Sequence, residues 1–161
     1  MFGLSKKERV GEALRRGTAA VLTGAFFHPA EIEALDLNNE AASWIYTESL
    51  AHQIFALGLI YSNSSFSSES WATVEFFNNT VSEAITKHER ENSLRPGTIN
   101  SVIFNRIDDL SLIYREGVAY QHLLDSATKA TEKDPRANRD QIFEKLKSST
   151  ENYFMAASKM F

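Results

Sequence analysis

The chain has 161 residues, of which 43% are hydrophobic and 24% are charged, and its formal net charge is −4. This composition and length are typical of one globular domain with one core, so we predict a single domain over residues 1–161. The absence of cysteine excludes a disulfide framework and a thiolate metal site, and it is compatible with the cytoplasmic location that we expect. A sequence pI of about 5.6 argues against direct binding to nucleic acid.

Basic residues are missing from a long part of the chain. Between Gly17 and Thr86 there is no Lys or Arg. An acidic stretch without bases must face water, basic segments of its own chain, or a basic partner. The acids of this stretch are Glu31, Glu33, Asp36, Glu40, Glu48, Glu69, Glu75 and Glu83.

The first predicted helix begins at Ser5, which forms a capping-box pattern with Glu8. Pro29 ends this helix and starts a short one that runs to about Leu37. The second long helix is predicted from about Asn39 to Tyr61 and is apolar on almost all sides. Such a helix is usually the central one of a bundle.

An apolar run from Ala19 to Phe27 follows Arg15 and Arg16, which is a faint likeness to a signal peptide. Acids lie within the basic segment, and the run is far shorter than the roughly 20 residues that span a bilayer. We therefore expect an ordinary helix, and membrane attachment through this helix is the alternative.

A polar loop is predicted over residues 63–68, and a third helix from Ser67 or Ser68 to about Glu91. The fourth helix is predicted to run from about Thr98 to about Ala130, where Gly117 either bends it or admits a neighbour. Asp134 and Pro135 are predicted as the N-cap and first residue of the fifth helix. Because no segment alternates with a period of two, the predicted fold class is all-α, a bundle of about five long helices and one short one.

Three charged or polar residues are predicted to meet inside this bundle. Glu48 and His52 lie four residues apart on one face of the central helix, and Arg106 falls on the apolar stripe of the fourth helix. A buried charge needs a partner, so we predict that they form an interior cluster. The cluster is either a structural network that fixes helix register or a site in which the carboxylate orients a general-base imidazole.

Metal and enzyme motifs do not match this chain. Di-iron bundles carry Glu-x-x-His twice, with further Glu residues. The nearest spacings here are Glu48-x-x-x-His52 and His122-x-x-Asp125. There is also no glycine-rich phosphate loop or nucleophile elbow. We therefore predict no metal site, no cofactor and no enzymatic activity.

The base-free stretch also suggests a surface for a protein partner. Phe66 in the polar loop and Phe76 beside Glu75 are expected to be exposed, and exposed aromatics among carboxylates suit a basic partner. The alternative is a solvated acidic surface that the N-terminal bases partly cover. The predicted partner-binding residues are Glu31, Glu33, Asp36, Glu40, Phe66, Glu69, Glu75 and Phe76.

As an acidic, cysteine-free, mostly helical domain, the chain resembles bacterial immunity proteins and antitoxins, which mask a basic toxin that is often a nuclease. The first functional hypothesis is therefore a non-enzymatic protein that neutralises such a toxin through its acidic surface. The first alternative is an enzyme or small-ligand binder that uses Glu48, His52 and Arg106. The second is a peripheral membrane protein anchored by its N-terminal helix.

Overall fold

The computed structural model describes residues 3–115 and 119–161, without the side chains of residues 111–120. Across these residues the protein is all-helical and contains no strand, which confirms the predicted fold class. Its seven helices are α1 (Lys6–Leu22), α2 (Pro29–Glu33), α3 (Asn39–Ser62), α4 (Val74–Glu91), α5 (Asn100–Arg115), α6 (Ala119–Lys133) and α7 (Arg139–Ala157).

Helix α3 is the centre of the bundle, as its apolar circumference predicted. It packs against α1, α2, α5, α6 and α7. Three apolar clusters of buried residues surround it, and each cluster includes residues of α3. Ile45, Ile54 and Leu57 of α3 are completely buried. A polar side chain in the buried middle of this helix therefore has no route to water unless a neighbouring helix leaves an opening.

Helix α1 begins as predicted, because Ser5 and Glu8 form a complete capping box. It ends at Leu22, earlier than predicted, because Gly24 takes a positive φ of 75° and turns the chain. Val10, Leu14 and Val21 of α1 are buried in the core. The apolar side of this helix is thus committed to the bundle. Within residues 3–115 and 119–161, no helix combines the length and apolarity that crossing a bilayer requires.

The predicted start of the third helix at Ser67 or Ser68 is wrong. Helix α4 begins at Val74, where the Thr73 side chain accepts a hydrogen bond from the Phe76 backbone N–H. The chain before it forms turns because Phe66 folds inward, with its ring stacked 5.6 Å from Trp71. Burial of these aromatic rings outweighs the preference for a helix start at Ser67 or Ser68.

The prediction of one helix from about Thr98 to about Ala130 is also wrong, because α5 and α6 are two helices that both pack on α3. The Arg106 Nη2 and His122 Nε2 atoms are 3.0 Å apart. A straight helix would separate these two residues by about 24 Å, at 1.5 Å per residue. Helices α5 and α6 are therefore not parts of one straight helix. Gly117, which we expected to bend the helix, lies outside the described residues.

Two carboxylates accept hydrogen bonds from backbone N–H groups where helices start, and the sequence did not predict this role for them. The predicted start of the fifth helix at Asp134 and Pro135 is wrong, because the N-cap of α7 is Asn138. Asp134 instead accepts hydrogen bonds from the Asn38 backbone N–H and from the Arg136 side chain. Glu89, at the end of α4, is 1% exposed and accepts hydrogen bonds from three backbone N–H groups at the start of α5. These bonds satisfy donors that a helix N-terminus leaves free.

Candidate functional site

The predicted cluster of Glu48, His52 and Arg106 forms in the structure. Glu48 and His52 are completely buried on α3, and the Arg106 side chain of α5 is 16% exposed. Arg106 Nε donates to Glu48 Oε1 at 2.9 Å, and Arg106 Nη1 donates to the exposed Asp109 at 3.2 Å. Arg106 therefore joins a buried carboxylate to the protein surface.

His52 is the polar residue of this cluster that the protein leaves least satisfied. Its Nε2 atom lies 3.5 Å from Glu48 Oε2, but the geometry does not make a hydrogen bond. Neither ring nitrogen of His52 has a hydrogen-bond partner among the residues that the structure describes. Buried polar groups in native proteins are nearly always bonded, so an unbonded imidazole at the centre of a bundle requires an explanation.

Helix α6 adds two residues that sequence reasoning did not place here, His122 and Ser126. His122 Nε2 lies 3.0 Å from Arg106 Nη2. Because a guanidinium can only donate, His122 Nε2 must accept, and the neutral ring then carries its proton on Nδ1. Ser126 Oγ lies within hydrogen-bond distance of Glu48 Oε2, at 3.2 Å. The sequence could have indicated this group only if α5 and α6 had been predicted as two helices that pack together.

The cluster alters the proton affinities of its members. Burial raises the pKa of Glu48, but the adjacent His52 ring, the Arg106 guanidinium and His122 outweigh burial and hold that pKa below its usual value. Burial, with smaller contributions from His52 and Arg106, lowers the pKa of His122 to about 4. At neutral pH the cluster therefore holds an ionised carboxylate and a neutral His122.

A surface depression lies over the side of the cluster that Arg106 and His122 form. This depression of about 370 Å³ is lined by Arg106, His122, Ser126, Lys129 and other residues of α6. Beside it, the Trp44 indole donates to the Ser126 carbonyl at 2.9 Å. The Trp44 ring lies 5.6 Å from the Arg106 guanidinium carbon and 5.3 Å from Lys129 Nζ. Trp44 therefore lies beside this depression.

Three side chains of the cluster have the donor atoms and proximity to hold a metal ion. Glu48, His52 and His122 each offer one ligand atom, and these atoms lie within 4.8 Å of one another. Sequence reasoning missed this group because it compared the spacing within one helix at a time. Here α3 supplies two of the residues and α6 supplies the third.

The acids of the base-free stretch meet basic segments of the same chain. Besides Glu48, which pairs with Arg106, four of the acids have intrachain ion pairs among the described residues, and two different sets of helices supply the bases. Helix α1 supplies the bases that pair with Glu69 and Glu83, whereas α6 and α7 supply the bases that pair with Glu40 and Glu31. The pairs are Lys6–Glu69 at 2.9 Å, Arg15–Glu83 at 3.7 Å, Lys133–Glu40 at 2.8 Å and Lys145–Glu31 at 3.1 Å.

The expected exposure of the two aromatic residues is not found. Phe66 is 3% exposed and packs against Tyr61 and Trp71, because its loop folds over the end of α3. Phe76 is half-buried, with its ring 5.6 Å from Trp71 and the Lys7 ammonium 5.3 Å from its centroid. The predicted partner-binding residues that are exposed are Glu33, Asp36, Glu40, Glu69 and Glu75.

Comparisons with protein-family models, with curated proteins and with solved structures found no match to this chain.

Proposed function

We propose that this protein binds a small ligand, an ion or a small molecule, at the interior cluster of Glu48, His52, Arg106 and His122. The observation that carries the proposal is His52, which is completely buried and has no hydrogen-bond partner for either ring nitrogen among the described residues. Leaving such a group unbonded costs about 1–3 kcal/mol. A ligand that bonds His52 would recover this free energy on binding.

The neighbours of His52 suit a binding site better than a sealed core. Arg106 is partly exposed and forms one wall of the depression between α5 and α6. A ligand in this depression would contact Arg106 and His122, which line it and which adjoin Glu48 and His52 of α3. Sites of this kind place a few convergent polar groups at the base of a cleft.

The proposal can be tested before the ligand is identified. The chain has two tryptophans, so Trp71→Phe leaves Trp44 as the only indole, 5.6 Å from Arg106. Native mass spectrometry of untagged protein should detect a bound mass, and refilling the stripped protein should change Trp44 fluorescence saturably. His52→Ala should abolish both effects, whereas His88→Ala, at a histidine outside the cluster, should retain them.

The opposite result is equally clear. If wild-type protein and His52→Ala carry no bound mass, and neither metal ions nor the small-molecule fraction of a cell extract changes Trp44 fluorescence, the cluster is a structural network. The His88→Ala control separates loss of the site from general loss of histidine. Helical circular dichroism confirms that each variant is folded.

Capture of a basic protein partner, in the manner of an immunity or antitoxin-type protein that neutralises a nuclease-like toxin, is a second proposal, and a cytoplasmic setting belongs to it. Glu33 and Glu75 are exposed, and no ion pair of either occurs among the described residues. Glu40 is 70% exposed although Lys133 contacts it. Because exposed ion pairs contribute only about 0–1 kcal/mol, a partner's bases could replace such intrachain contacts.

The test of this second proposal is kinetic. Glu33→Lys and Glu75→Lys should slow association with a captured basic partner, and the wild-type on-rate should fall steeply as ionic strength rises. Asp140→Lys, at an acid of α7 that is 82% exposed, is the matched control. An on-rate that does not change with ionic strength would rule out electrostatic capture.

A further inference from the structure

We infer that the ligand of the interior cluster is a divalent transition-metal ion, held by Glu48 and His52 of α3 and His122 of α6. This inference rests on the proposed function, because it names the ligand class of the same site. Two independent observations lead to it, namely the convergence of three ligand-type side chains and the unbonded ring nitrogens of a completely buried histidine.

The distances in the cluster suit a shared ion. Donor atoms of a four-coordinate zinc site lie about 2.0–2.2 Å from the ion, and hence about 3.3–3.6 Å from one another. Glu48 Oε2 and His52 Nε2 are 3.5 Å apart, which already fits that spacing. The three ligand atoms all lie within 4.8 Å of one another, so any separation that exceeds about 3.6 Å must shorten when the ion binds.

Arg106 occupies the position of a competing cation. Its guanidinium donates to Glu48 Oε1 and to His122 Nε2, which are two of the groups that the ion would bind. A metal-bound imidazole cannot accept the Arg106 hydrogen bond, because its two nitrogens then hold the ion and a proton. Binding of the ion therefore requires Arg106 Nη2 to leave His122, and the exposed Asp109, 3.2 Å from Nη1, offers an alternative partner.

One contact of Arg106 can remain when the ion binds. Glu48 Oε1 accepts from Arg106 Nε, whereas Glu48 Oε2 faces His52. A carboxylate that binds an ion through one oxygen and a donor through the other is a common outer-shell arrangement. We therefore expect Arg106 to pivot about Glu48 Oε1 rather than to leave the cluster.

The donor set selects the class of ion. Two imidazoles and one carboxylate suit Zn²⁺, Co²⁺, Ni²⁺ and Fe²⁺, whereas Mg²⁺ and Ca²⁺ prefer oxygen ligands alone. Zn²⁺ is the probe for affinity, and Co²⁺ is the probe for coordination geometry through its visible absorption. Mg²⁺ is the matched control of equal charge.

The experiment titrates Zn²⁺, Co²⁺ and Mg²⁺ into untagged, chelator-stripped full-length Trp71→Phe protein, with Trp44 fluorescence and Co²⁺ absorption as readouts. One Zn²⁺ should bind per chain and Mg²⁺ should not. His52→Ala should weaken Zn²⁺ binding by at least about 100-fold, more than the 10–100-fold that outer-shell changes cost. His88→Ala should bind as the parent does.

Arg106→Gln supplies a readout that a purely structural network would not give. It removes a positive charge beside the ion and releases His122 Nε2, so Zn²⁺ should bind about tenfold more tightly or better. Zn²⁺ affinity that is unchanged or weaker in Arg106→Gln, in protein with parental helical content, would overturn coordination by His122. Equal affinity in His52→Ala and the parent would overturn the whole site.

Failure of the metal inference can be told apart from failure of the proposed function. If metal ions have no effect but the small-molecule fraction of a cell extract, freed of metals on a chelating resin, changes Trp44 fluorescence, the ligand is a molecule and the metal inference is wrong. If neither has an effect, both proposals are wrong. If Zn²⁺ binds and His52→Ala abolishes the response, both are supported.

Discussion

Arg106 Nε donates to Glu48 Oε1 at 2.9 Å, although the two residues lie on different helices and 58 positions apart in the chain. Glu48 is completely buried, and the Arg106 side chain is 16% exposed. Arg106 therefore places a positive charge from the edge of the protein beside a carboxylate at its centre. The stability of the bundle and the chemistry of the candidate site both depend on this contact.

Removing one member of this pair should lower the free energy of unfolding far more than replacing both members. Arg106→Met leaves Glu48 buried without its main counter-charge, which typically costs about 3–5 kcal/mol of unfolding free energy. The double variant Glu48→Met with Arg106→Met should recover most of that loss, because apolar groups of similar size replace the charges. Urea unfolding of the single and double variants measures the coupling.

An exposed ion pair provides the control for this cycle. Arg15 and Glu83 are 3.7 Å apart with side chains 49% and 67% exposed, and Arg15→Met should change stability by no more than about 1 kcal/mol. A double variant in which the losses of the two single changes simply add would contradict the account of Glu48 and Arg106.

The carboxylate of Glu89 should stabilise the protein in a pH-dependent manner. Burial raises the pKa of Glu89, but three backbone N–H donors outweigh burial and lower that pKa from its ordinary value of 4.5. Because the folded pKa is lowered, the contribution is fully present above pH 4.5 and is lost as the pH falls through the folded pKa. Glu89→Gln should cost about 1–3 kcal/mol at pH 7.

Unfolding midpoints of wild-type protein and Glu89→Gln, measured from pH 7 to pH 3, test this prediction. The two curves should converge below pH 4.5. A difference that stays constant across the whole range would mean that the ionised carboxylate is not the group that holds the start of α5.

Asp134 should show a similar dependence at lower pH. Its hydrogen bonds with Arg136 and with the Asn38 backbone lower its pKa from 3.8 to about 2. The stabilisation by the ionised carboxylate is therefore present above about pH 4 and is lost as the pH falls toward 2. Asp134→Asn should lower the Tm at pH 5 and approach the wild-type Tm at pH 2. A Tm difference that persists unchanged at pH 2 would refute this assignment.

Phe66 should behave as a core residue and not as part of an exposed binding surface. It is 3% exposed and packs on Tyr61 and Trp71, so Phe66→Ala should cost about 3–5 kcal/mol in urea unfolding. Phe154, which is 45% exposed on α7, is the matched control, and Phe154→Ala should change stability by about 0.5 kcal/mol or less. Equal effects of the two changes would contradict the burial of Phe66.

The sequence predicted those parts of the fold that depend on local pattern. The capping box at Ser5 and Glu8 and the all-round apolarity of α3 are local features, and both were predicted correctly. Glu48, His52 and Arg106 were grouped correctly because each lies on a face that must be buried. Helix periodicity alone was sufficient for that inference.

The features that the sequence did not predict depend on contacts between segments that are distant in the chain. His122 and Ser126 could not be placed at the cluster while residues 98–130 were predicted as one helix, because a straight helix carries them away from Arg106. Phe66 was expected to be exposed because its neighbours are polar, although ring stacking with Trp71 folds the loop inward. Glu89 was missed because its partners are backbone N–H groups, which the sequence pattern does not distinguish.

The central claim is that Glu48, His52 and His122 form a binding site in which a metal ion replaces the contact between Arg106 and His122. The most direct measurement is anomalous diffraction at the zinc absorption edge from crystals of the full chain grown with Zn²⁺. The account predicts one peak at about 2.0–2.2 Å from Glu48 Oε2, His52 Nε2 and a His122 ring nitrogen, with Arg106 Nη2 moved away from His122. Peaks at surface residues alone, with Arg106 still bonded to His122 Nε2, would contradict it.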